Sequence, residues 1–120
     1  MNTRFFTIAK HMSYKSPHEF KHGCVIVKGS RIISKGYNSN KTHTKAPCPF
    51  KTIHAESHAL LSIKRSKTMG ATAYVYRGTK DGLNADSKPC IYCESMLRSA
   101  GIKKVYFTTS KYPYFGVIKF

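Results

Sequence analysis

Apolar residues recur along the chain with two different periods. Phe5, Phe6, Ile8, Ala9 and Met12 repeat at helical spacing among polar neighbours, which predicts an amphipathic helix over 3–15. The stretch "GCVIVKGSRIISKGYN" then holds two β-rich runs, 23–28 and 31–37, separated by Gly29-Ser30, a hairpin signal. A loop with two prolines and no apolar period follows, "SNKTHTKAPCPFKT". Structureless loops of this length usually carry function. Helical spacing returns in "HAESHALLSIKRS", with Ala55, Ala59, Leu60 and Ile63 on one face, predicting a helix over 54–66 with Thr52 able to cap its start. "ATAYVYR" (71–77) reads as a strand, Gly78 to Lys88 as a polar loop, and 91–100 as a short helix stopped by Gly101. "KKVYFTT" (103–109) is another strand. The final "KYPYFGVIKF" fits either a closing strand or a tail packed over the site.

The resulting order is α-β-β-α-β-α-β, with a possible last strand. Strand–helix–strand alternation after a hairpin predicts a mixed sheet covered by helices, an α/β sandwich. Right-handed crossovers lay the helices that start near His54 and Cys90 on one face of that sheet, with their N-termini side by side. No linker, repeat or low-complexity segment divides the chain, so residues 1–120 read as one domain.

Charge changes this picture more than hydropathy does. Lys and Arg number 21 against five Asp and Glu, a formal net charge of +16. Ten of these cations fall in residues 1–60 and eleven in 61–120, so the charge is no appended tail. Such a surface suits polyanions or phosphorylated substrates, or serves solubility alone. No apolar run reaches the roughly 20 residues of a membrane-spanning helix. The N-terminal "MNTRFFTIAKHMSYK" is too broken by cations for a signal peptide. The expectation is a soluble protein of the cytoplasm, or of the host cytosol if the source is viral. There thiols stay reduced and cysteine clusters are more often metal or catalytic sites than disulfides.

The stretch "SKPCIYCE" places Cys90 and Cys93 three positions apart at a helix start. The pair alone fits a redox dithiol, part of a zinc site, or two buried thiols. A thioredoxin-like dithiol is expected earlier in the fold, and a four-ligand structural zinc site needs a second close pair that is not evident. His22, Cys24, His43 and Cys48 could form a second metal site, but their spacing is irregular; Cys24 and Cys48 default to small buried hydrophobes. "HAE" supplies what the cysteines lack. His54 with Cys90 and Cys93 makes three ligands and leaves the fourth position of a tetrahedral zinc for water, the catalytic pattern. Glu56, in the same helical turn as His54, can move that water's protons without binding the metal. H-x-E…P-C-x-x-C is the signature of zinc nucleobase deaminases.

"TIHAESHALL" and "SKPCIYCESMLRSAGIKKVYF" resemble the two halves of the zinc-binding region of the cytidine and deoxycytidylate deaminase superfamily, and its small phage- or virus-encoded members in particular. The resemblance runs from about Gly23 to Thr108. It implies a three-layer α/β/α sandwich around a mixed sheet of about five strands. It implies one Zn²⁺ held by His54, Cys90 and Cys93, with Glu56 as proton shuttle. It places Asn38 against the sugar and the backbone N–H groups of Ala55 and Cys90 near the base or the attacking water. Pro89 would shape the pocket wall, and Ser87 would sit where substrate approaches. Homo-oligomeric assembly is implied as well. The extended C-terminal helices of tRNA adenosine deaminases have no counterpart here, nor do the extra zinc insertion and effector segments of larger deoxycytidylate deaminases.

The resemblance favours a free nucleotide such as dCMP, with Lys41, Lys45 and Lys51 in the 38–52 loop as candidate phosphate contacts. The charge favours a cytosine, or less readily an adenine, in single-stranded DNA or RNA. Phe50, Tyr112, Tyr114 and Phe115 could stack on a base or simply pack. A non-catalytic, zinc-containing nucleic-acid-binding module is the reading of another class; the presence of Glu56 counts against it.

Overall fold

The two β-rich runs pair as the sequence predicts. In the computed structural model, which describes residues 3–17, 21–39, 54–61, 63–79 and 83–120, β1 (His22–Lys28) and β2 (Arg31–Tyr37) form an antiparallel hairpin. Lys28 lies opposite Arg31, so Gly29 and Ser30 make a two-residue turn. Gly29 has φ 65°, the left-handed conformation that such a turn needs at its first position and that a side chain disfavours. A bulge interrupts the ladder: Ile26 pairs with Ser34 and Val27 with Ile32, leaving Ile33 extra.

The hairpin is one side of a five-stranded mixed sheet in the order β2-β1-β3-β4-β5, where β3 is Thr72–Arg77, β4 is Lys104–Thr108 and β5 is Phe115–Lys119. β1 runs antiparallel to both β2 and β3, β3 and β4 are parallel, and β5 closes the far edge antiparallel to β4. The C-terminal segment is therefore a strand, the first of its two expected alternatives.

Alternation along the strands builds two cores. Val25, Val27, Tyr74 and Tyr76 face helix α1 (Thr3–Ser13), which buries Phe5 and Ala9 against them. Cys24, Ile26, Ala73, Val75 and Val105 face the other way. They are covered by Ala55, Ala59 and Leu60 of α2 (Ala55–Leu61) and by Leu97, in the helix that spans Ile91–Ser99. The architecture is the expected α/β/α sandwich, with these two helices neighbours on one face. No helix of the described residues is long and apolar enough to cross a membrane.

One predicted helix is divided. The 54–66 segment ends its first helix at Leu61, and a separate turn, α3 (Arg65–Thr68), follows Lys64 in extended conformation. The Ile91–Ser99 helix is accordingly α4. Ile63 prolongs the apolar spacing and so suggested one helix. Its N–H instead bonds to the Leu60 carbonyl three residues back, tightening the chain where the "KRSK" run offers no apolar side chain to hold a helix on the sheet. Helix α1 likewise ends at Ser13, short of residue 15, with Tyr14 and Lys15 in a turn.

α2 lies very close to β2 because Gly36 lets it. A Cβ at position 36 would stand 2.5 Å from both the Ala55 carbonyl oxygen and the Ala59 nitrogen, backbone atoms that cannot yield without moving the helix. Gly36→Val is accordingly expected to destabilise the fold by about 1–3 kcal/mol and to displace the start of α2. Thermal melting together with metal titration checks this; an unchanged melting temperature contradicts it.

Candidate functional site

Two chain segments meet at the ends of α2 and α4. His54 immediately precedes α2, and its carbonyl accepts the His58 N–H at 2.9 Å. α2 is fastened to β2 by Ser34, whose hydroxyl donates to the Ala59 carbonyl at 2.6 Å, and by His58, whose Nδ1 accepts the Tyr37 N–H at 3.1 Å. Cys90 is the N-cap of α4, its carbonyl accepting the Glu94 N–H at 2.8 Å, and Cys93 lies one turn in, fully buried.

Among the described residues, the group able to hold a metal ion is His54, Cys90 and Cys93, whose ligand atoms lie within 4.8 Å of one another. His54 Nδ1 stands 3.6 Å from Cys90 Sγ and 3.4 Å from Cys93 Sγ. With zinc–sulfur bonds near 2.3 Å and zinc–nitrogen bonds near 2.0–2.1 Å, a tetrahedral angle separates nitrogen from sulfur by about 3.5 Å. The three side chains fit one zinc ion on that measure.

The electrostatics point the same way. Burial pushes the Cys93 thiol far above its usual range, and Glu56 and Cys90 beside it push it further. Burial lowers the His54 pKa and so favours the neutral imidazole that a metal needs. Glu56 is 4% exposed, and burial raises its carboxyl to about 7, against the opposing effects of a backbone hydrogen bond and one with Cys93. Two thiols, an imidazole and a carboxyl packed together are a poor arrangement for anions unless a cation joins them. A carboxyl that changes protonation near neutrality is also suited to passing protons.

The other predicted residues fall into three groups. Ala55 and Pro89 are buried and adjoin His54 and Cys90 in the chain. Asn38 is half-buried at the end of β2, where its Oδ1 accepts the His22 N–H at 2.9 Å. Lys41, Lys45 and Lys51, with His43, Cys48, Phe50 and Thr52, lie outside the described residues. Of the aromatics, Tyr112 and Tyr114 are exposed edge-to-face neighbours, while Phe115 opens β5 and packs near Tyr106.

Ser87 takes a different place from the one expected. Its side chain is buried; the hydroxyl donates to the Val75 carbonyl at 2.9 Å, accepts the Thr108 N–H at 2.7 Å, and lies 2.8 Å from Thr108 Oγ1. Thr108 in turn donates to the Ala85 carbonyl at 2.8 Å and accepts the Arg77 N–H at 3.1 Å. This knot ties the loop that delivers Pro89 and Cys90 to the ends of β3 and β4, so Ser87 serves the framework. Ser87→Ala leaves buried groups unsatisfied and is expected to cost about 1–3 kcal/mol. A melting temperature within a degree of the parent's contradicts that.

Two residues that support the site were not singled out in the sequence. Ser57, fully buried, brings its hydroxyl 3.8 Å from Cys93 Sγ, behind the ligand. Thr108 anchors the knot. Ser57 follows "HAE" directly, and that adjacency was the one available signal; partners such as Thr108 are remote in sequence. Cys24 belongs to the sheet core, where burial and then Glu56 raise its thiol pKa. It lies outside the metal-competent group found among the described residues, and His43 and Cys48, its candidate partners in a second metal site, fall outside those residues.

The chain has known relatives. The cytidine and deoxycytidylate deaminase zinc-binding region matches residues 1–109. The deoxycytidylate deaminase of Mycobacterium phage D29 is 28% identical over 108 residues, covering 72% of this chain and 77% of the phage protein. That of Schizosaccharomyces pombe is 29% identical over 106 residues, which are 73% of this chain but only 30% of the yeast protein. The chain thus spans less than a third of that relative's length. The crystal structure of the apo dCMP deaminase from cyanophage S-TIM5 superposes with a TM-score of 0.66 at 25% identity, covering 89% of this chain and 81% of that one. The match extends across the α2 and α4 segments that carry His54, Glu56, Cys90 and Cys93, and the chain belongs to the cytidine and deoxycytidylate deaminase family.

Proposed function

We propose that the protein hydrolyses dCMP to dUMP and ammonia, using one zinc ion held by His54, Cys90 and Cys93. The observation that carries this reading is the 3.4–3.6 Å spacing of His54 Nδ1 from the two sulfurs, with the buried Glu56 carboxyl beside them. Zinc held there would lower the pKa of a bound water toward neutrality and so supply hydroxide as the nucleophile. Glu56 would take a proton from the attacking water and deliver it to ring N3 of the cytosine, then take the second proton from the new C4 hydroxyl and hand it to the departing amine. Pro89 would shape the pocket wall, and the backbone N–H of Ala55 would help hold the base or the attacking water. Asn38 would contact the sugar, and Lys41, Lys45 and Lys51 are the candidate partners of the 5′-phosphate. Relatives named deoxycytidylate deaminases support dCMP as the substrate.

A second reading, cytosine deamination within single-stranded nucleic acid, draws on the +16 charge and on Tyr112, which is 86% exposed. Offering dCMP, CMP, cytidine, single-stranded DNA and RNA side by side, with ammonia release as the readout, separates the two. Turnover confined to dCMP is expected; turnover of DNA alone overturns the substrate assignment.

A further inference from the structure

At the end of the sheet away from the zinc ligands lies a groove that the deamination reading does not use. One wall is the hairpin turn, with Lys28 and Arg31 paired across it; the other is the α2–α3 connection, with Lys64 and Lys67. Ile32, Ile33 and Ile63, each partly exposed, form the floor, and the space between the walls is about 850 Å³. The bulge at Ile33 widens the edge here, because the extra residue breaks the regular alternation of β2.

All four cations are exposed, and among the described residues none of them is ion-paired. The acids that the structure describes are elsewhere. Glu56 is buried at the start of α2, Asp86 accepts the Ser110 N–H, and Glu94 pairs with Arg98 on α4. Among the described residues the groove is therefore a concave surface with basic walls over an apolar floor. β2 runs from Arg31, in this groove, to Tyr37, against His58 of α2. Six steps of about 3.3 Å put the two ends about 20 Å apart, beyond the reach of a single mononucleotide.

We propose that this groove binds the backbone of single-stranded nucleic acid, at a site separate from the zinc pocket. Cations on two facing walls match phosphates repeated along a strand. The isoleucine floor offers apolar contact to unpaired bases, which a duplex keeps stacked inside. A concave surface is also a poor match to a membrane plane. The proposal does not depend on which substrate is deaminated, since binding is read without turnover.

The test uses a fluorescein-labelled oligodeoxythymidine, which holds no cytosine, followed by anisotropy across a salt series. K28Q/R31Q/K64Q/K67Q is compared with K15Q/K103Q/K111Q/K119Q, which removes the same charge from exposed positions elsewhere. The groove variant is expected to bind at least about tenfold more weakly, with the slope of log affinity against log salt shallower by about 2–3, near 0.7 for each phosphate no longer neutralised. The control is expected to bind within about twofold of any weakening predicted from its charge alone, with its slope kept. Equal weakening in both variants overturns the proposal, as does a duplex or polyglutamate of equal charge competing as well as the oligothymidine. K64Q/K67Q alters one wall only and guards against misfolding of the fourfold variant; it is expected to flatten the slope by about 1.4, and an unchanged slope overturns the proposal. Deamination of dCMP is expected to be unchanged in all of them.

Discussion

Glu56→Gln is expected to lower kcat for dCMP by about 10²–10⁴-fold while zinc content stays at one ion per chain. Glutamine keeps the size and the hydrogen-bonding tip of the buried side chain but can neither take nor release a proton. Glu56 makes no part of the metal-competent group, which consists of His54, Cys90 and Cys93, so metal retention is the companion expectation. Its buried site raises the carboxyl to about 7, and a neighbouring zinc ion would draw it back toward the ionised form that accepts a proton. Steady-state kinetics with metal analysis of the same sample checks both halves. Loss of zinc along with activity would mean that Glu56 acts through the metal site's integrity and not through protons.

Cys93→Ala is expected to abolish zinc binding and activity together. Cys93 is fully buried, its sulfur is the nearer of the two to His54 Nδ1 at 3.4 Å, and Ser57 stands behind it. Removing it leaves two ligands, too few for a tetrahedral site that keeps one position for water. Zinc at a thousandfold excess over its dissociation constant stabilises a fold by about 4 kcal/mol, so the parent is expected to melt several degrees lower after chelation. The variant's melting temperature is expected to ignore both zinc and chelator. A variant that still melts higher with zinc would remove Cys93 from the ligand set.

The parts of this molecule that were legible beforehand share a physical character. The hairpin at Gly29-Ser30 and the two strand–helix crossovers rest on local periodicity and turn chemistry, which a sequence displays directly. The joining of His54 to Cys90 and Cys93 was legible because right-handed crossovers leave little choice about where consecutive helices go. What escaped was set by long-range packing. Ile63 extends a helical stripe in sequence, yet α2 stops at Leu61. Ser87 sits in a polar loop and looked like a substrate contact, whereas its hydroxyl is consumed by Thr108, 21 residues away. Cys24 gave no sign of its place behind Glu56, because a strand's alternation says which face a residue takes but not what covers it. The division between β5 and a packed tail depended on Phe115–Lys119 finding an open edge on β4.

If the three-ligand zinc site with Glu56 beside it deaminates dCMP, activity must follow the metal. The decisive experiment monitors dUMP and ammonia formation by the purified protein through zinc removal and restoration. Equimolar dUMP and ammonia, lost on chelation and regained with one zinc per chain, is the predicted result. Zinc-replete protein that leaves dCMP unchanged, or zinc-free protein that converts it at the full rate, would contradict the account.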